Sequence, residues 1–171
     1  MTNKIKHLIL ILIFIFFCIC ITAQTTRKDP VDFRKMAKFL SDINGFNATG
    51  KAEGQNISMG EFKASEATRN YESGKKKLEI KIADYTYYPM MKQGMEMMMN
   101  FEIDSSDKYV KKIDIEGYTG VIEYEYEDEE ARLILFLKNS ILIIIELRPT
   151  KDRKEILEIT KSLDLKGLSA L

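Results

Sequence analysis

The stretch LILFLKNSILIII, Leu133 to Ile145, decides how this chain is layered. Its two apolar runs, Leu133 to Leu137 and Ile141 to Ile145, show no alternation with polar residues. Lys138-Asn139-Ser140 joins them as a tight hairpin. A strand that is apolar on both sides is normally covered on both faces of its sheet. Helices on one side alone would leave one stripe of this hairpin in water. The expectation is therefore a helix layer on each face.

Strands precede the hairpin. Ile122, Tyr124 and Tyr126 alternate with Glu123, Glu125 and Glu127, and Gly117-Tyr118-Thr119-Gly120 reads as the turn before them. Tyr109 to Ile115 places Ile113 and Ile115 on one face. Lys77 to Ala83 alternates cleanly, with Leu78, Ile80 and Ile82 inward and Lys77, Glu79 and Lys81 outward. Ser73-Gly74 turns back to Glu66 to Tyr71, and Ser58 to Ala64 precedes that. The polar, glycine-bearing Phe46 to Asn56 reads as a loop.

Helices bracket the strands. Asp29-Pro30 gives an N-cap and a first-turn proline. Phe33, Met36, Ala37, Leu40 and Ile43 follow at helical spacing until Asn44-Gly45. At the other end Asp152 and Glu155 form a capping box, and Ile156, Ile159 and Leu163 run on to Gly167. The result is an α+β domain over residues 24–171. It has a mostly antiparallel sheet of about six to seven strands and helices on both faces.

A third helical segment interrupts the strands. Pro89 to Phe101 (PMMKQGMEMMMNF) holds six of the nine methionines. At about 100° per residue Met90, Met97 and Phe101 fall together, Met91 and Met98 lie beside them, and Met95 and Met99 widen the arc. Gly94 sits near its middle, where a missing side chain would let the helix approach the sheet. Methionine adapts to irregular gaps, so a helix laid on the sheet is the plainest reading. A methionine-lined groove is the second, with Met91, Met95, Met98, Tyr85 and Tyr88 as ligand-binding candidates for a small apolar molecule or a protein partner. A third reading is Cu(I) held by the thioethers of Met91, Met95 and Met98.

The N-terminus limits the chemistry. Lys4, Lys6 and His7 precede an unbroken apolar run from Leu8 to Ile21, and Thr22-Ala23-Gln24 follows. A run of roughly 14 residues is short for a membrane span and suits a secretory signal peptide over 1–23. The expected location is the periplasm or outside the cell, with membrane contact only through an uncleaved signal. Cleavage after Ala23 removes both cysteines and the single histidine. It leaves 24 basic against 26 acidic residues, a net charge of −2. That balance argues against nucleic acid, which demands a basic surplus. Nucleophile systems built on histidine or cysteine and histidine-built metal sites are excluded from such a chain, and no cofactor is expected. A hydrolase would have to use carboxylates, with Asp84 beside Tyr85 as a candidate. The acidic run Glu123 to Glu130 reads as an outer strand face and a solvated turn.

The order helix, strands, helix, strands, helix, with the hairpin Tyr71…Gly74…Leu78-x-Ile80-x-Ile82, loosely resembles α-β-α sandwiches of the PsbP/Mog1 type. The Tyr71…Asp84-Tyr85 run and the methionine segment also resemble secreted domains of Bacteroidota-type bacteria. Neither resemblance implies a catalytic residue. The signal segment and the lack of histidine and cysteine after it lead to the expectation of an exported domain that works by binding.

Overall fold

The structure, a computed structural model, describes residues 29–86, 94, 97 and 99–171. Nine strands form one antiparallel sheet: β1 (Asn47–Ala48), β2 (Glu53–Met59), β3 (Phe62–Ser73), β4 (Lys76–Asp84), β5 (Ile103–Asp104), β6 (Lys108–Ile115), β7 (Tyr118–Glu125), β8 (Glu130–Phe136) and β9 (Ile141–Arg148). The order is β1-β3-β4-β9-β8-β7-β6-β5, and β2 shares the outer edge of β3 with β1. The apolar hairpin β8–β9 therefore lies in the middle of the sheet, where its hydrophobicity places it.

Register assigns the faces. Tyr71, Leu78 and Leu147 stand on one rung, Ala67, Ile82, Ile143 and Leu135 on another, and Leu133 and Ile145 pair between them. These residues form one buried cluster with Met36, Leu40, Ile156, Ile159, Leu165 and Leu168. Three helices lie on this face: α1 (Phe33–Met36) with the 3₁₀ turn Ala37–Phe39, α2 (Lys154–Lys161) and α3 (Leu165–Ser169).

The other face corrects the expectation of helices on both sides. None of these three helices contributes to it. Its hairpin residues Ile134, Phe136 and Ile144 are half-buried, and Leu142 is buried. Their neighbours supply part of the cover. Lys81 stands opposite Ile144, and Val121 opposite Ile134. Arg132 and Glu146, paired in register, form an ion pair at 3.1 Å one rung away. Long charged side chains lay their aliphatic stems along apolar surface while their heads stay in water. The apolar patch on this face also includes Ala83 of β4 and Val121 of β7, both buried.

The strand count exceeds the expected six to seven for a related reason. β2 is exposed at six of its seven positions and carries no hydrophobic period; its first four residues fall in the expected loop, and the strand expected over Ser58 to Ala64 is broken by a turn at Gly60. β2 forms because the two-residue turn at Gly60 (φ 61°) returns the chain along β3. The turn between β6 and β7 falls at Glu116-Gly117, with φ of 54° and 83°, and not at Gly117 to Gly120. Positive φ at both central residues matches the twist of the flanking strands. The helices are shorter than their patterns. α1 starts at Asp32, whose side chain accepts from the Arg34 amide at 2.8 Å. The C-terminal helix breaks at Ser162 and restarts where Asp164 caps the Gly167 amide at 2.8 Å. Glu155 does not close a capping box: it takes the Lys76 ammonium at 2.6 Å and the Thr150 hydroxyl at 2.9 Å.

Candidate functional site

Asp84 ends β4 on the covered face and is fully buried. Its carboxylate accepts from the Val31 amide at 2.8 Å and from the Thr86 amide at 3.0 Å. The Ser65 hydroxyl, also buried, donates to the Val31 carbonyl. The pair fastens the N-terminal segment to the end of the sheet. A carboxylate so enclosed and so supplied with donors serves as a structural acceptor.

Tyr85, next in sequence, is half-buried, and its amide donates to the Ser140 carbonyl at 3.3 Å. Burial, with the Glu66 charge in second place, raises its phenol above the usual value of 10.0. Its candidate companions Tyr88, Met91, Met95 and Met98 lie outside the described residues. Three neighbours of theirs do not behave as core. Gly94 has open space where a Cβ would stand, so it marks no close approach to the sheet. Met97 and Phe101 are 69% and 63% exposed.

The described residues do converge elsewhere, on the face without helices. Two neighbouring rungs run across β3, β4 and β9. One carries Glu72, Lys77 and Arg148, and the next carries Asn70, Glu79 and Glu146. Lys77 stands directly opposite Arg148, and Glu79 directly opposite Glu146. These side chains, with Thr49 beside β1, line a depression of about 300 Å³. The Thr49 amide and hydroxyl both donate to the Asn70 carbonyl, at 3.0 and 3.2 Å, which fixes that rim.

Like charges placed directly opposite on a sheet are destabilising, by up to about 1 kcal/mol per pair. Here two such pairs are stacked, one cationic and one anionic. Glu72, directly opposite Lys77, and partners outside the depression offset part of this. Glu79 meets Lys81 at 3.6 Å, Glu146 meets Arg132 Nε at 3.1 Å, and Arg148 meets Glu130 at 3.5 Å. The Arg132 contact is within ion-pair distance but not aligned as a hydrogen bond. The Lys77–Arg148 pair and the Glu79–Glu146 pair thus stand about 7 Å apart at two residues per repeat, with Glu72 completing the first rung.

The sequence contains half of this. Lys77, Glu79 and Lys81 alternate visibly on the outer face of β4. Glu146 and Arg148 follow an apolar run that hides the same alternation, and only the β4–β9 register brings the two sets together. Among the described residues no three Asp, Glu, His or Cys side chains group as metal ligands would. Comparison with protein-family models, with curated proteins and with solved structures finds no match for the chain.

Proposed function

We propose that this is an exported, non-catalytic binding domain, and that the depression over β3, β4 and β9 takes an extended polypeptide segment of a protein partner. That segment carries an acidic and a basic residue two positions apart. The stacked like-charge pairs, Lys77 with Arg148 and Glu79 with Glu146, carry this reading. They cost stability, and a ligand of complementary charge spacing relieves both at once. An extended strand repeats its side chains on one face at about 7 Å, which is the separation of the rungs. The commitment of Asp84 to backbone amides favours binding over carboxylate chemistry.

A pair of synthetic peptides tests it, each extended and threonine-rich. One has glutamate and lysine at positions i and i+2, and the other has glutamines there. Amide ¹⁵N shifts of Asn70, Glu79 and Glu146 should move with the charged peptide and not with the neutral one. Lys77→Glu combined with Arg148→Glu should abolish the response. Equal shifts with both peptides, or none at millimolar concentration, would overturn the proposal.

A further inference from the structure

Strand β6 is unequally covered along its outer side. β5 pairs with it only at Ile103↔Val110 and Asp104↔Tyr109, and the Ser105 amide donates to the Lys108 carbonyl at 3.0 Å. That bond fixes the direction of the backbone. Lys108 and the alternate residues Val110, Lys112 and Asp114 turn their amide and carbonyl outward, while Tyr109, Lys111, Ile113 and Ile115 turn theirs to β7. Past Val110 the ladder with β5 stops. Lys112 and Asp114 therefore present two N–H and two C=O groups at the edge of the sheet, with both side chains exposed.

We propose that this edge pairs antiparallel with the same edge of a second copy, about a two-fold axis at Ile113. The occupant follows from charge and register. A two-fold antiparallel pairing sets one residue against itself, which leaves few choices on a segment this short. An axis at Lys112 opposes lysine to lysine, and one at Asp114 opposes aspartate to aspartate. An axis at Lys111 requires the outward groups of Val110, which β5 already occupies. The axis at Ile113 alone opposes Lys112 to the partner's Asp114, twice, in hydrogen-bonded positions, and brings the half-buried Ile113 against its symmetry mate. Lysines on an edge strand usually prevent pairing. In this register the same lysines specify it.

Sedimentation equilibrium over a range of protein concentrations tests this with three variants. Wild type should show a reversible monomer–dimer equilibrium. Lys112→Asp, which opposes aspartate to aspartate, should weaken association about tenfold or more. Adding Asp114→Lys to it should restore association, because the exchanged charges again oppose. Lys112→Pro removes an amide that points away from β7, so it should abolish the dimer while leaving the fold intact by circular dichroism. Asp114 Oδ1 also accepts from the Gly117 amide at 3.0 Å, so the double variant needs the same check of folding. A wild type that stays monomeric throughout, or a dimer indifferent to Lys112→Asp and Lys112→Pro, would overturn the proposal.

Discussion

Asp84 shows how little a residue type says without its neighbours. In sequence it is an acid beside a tyrosine, which suits catalysis as well as structure. In the fold it is a buried acceptor for the Val31 and Thr86 amides. Asp84→Ala strands the Val31 amide without its acceptor, and should cost about 2 kcal/mol in urea denaturation. A loss below a few tenths would show that the N-terminal segment is not fastened there. The tyrosines make a second case. Burial is the leading cause that raises Tyr71, Tyr85 and Tyr124 above 10.0. A phenol raised in the folded state keeps its proton where the unfolded chain has lost it. Its stabilisation is complete below about pH 10 and is lost as pH rises through the shifted values. Phenolate absorbance should therefore rise late for part of the eight tyrosines and coincide with unfolding. Simple ionisation of all eight near pH 10, with the fold intact, is the contrary result.

At the scale of elements, legibility follows burial. β4, β7, β8 and β9 were readable because one or both of their faces bury apolar side chains, and that burial imposes a pattern on the sequence. β2 was readable only at its end, from Ser58, because pairing to β3 holds it and its side chains face water. Its junction with α1 is visible only in space. A Cβ on Gly54 would stand 2.3 Å from the Glu66 carbonyl oxygen and 2.7 Å from the Phe33 ring. Gly54→Ala should therefore shift backbone as well as ring and destabilise by about 1–3 kcal/mol, as overpacked sites do, measured by thermal unfolding. An unchanged melting temperature would mean that α1 does not lie on β2. The candidate site was half legible for a comparable reason. Alternation reveals Lys77 and Glu79 on β4, but which charges they oppose is set by a register made across more than sixty residues of chain.

Over the described residues the molecule is a sheet with helices α1 to α3 on one side, and this is where sequence reasoning went wrong. The apolar hairpin implied two covered faces. The structure gives it a fully buried face under the helices and a second face where Ile134, Phe136 and Ile144 are half-buried and the Arg132–Glu146 ion pair stands one rung away. That asymmetry frees the second face for the charged depression and leaves stability to the first. Two adjacent residues of β8 measure it most directly, because they point to opposite faces: Leu135 is fully buried among core residues, and Ile134 is half-buried on the other side. Leu135→Asp buries a charge without a partner and should cost more than about 4 kcal/mol, enough to prevent folding, while Ile134→Asp should cost under about 2 kcal/mol and leave a cooperative unfolding transition. Equal and severe losses in urea denaturation at both positions would contradict the one-sided account.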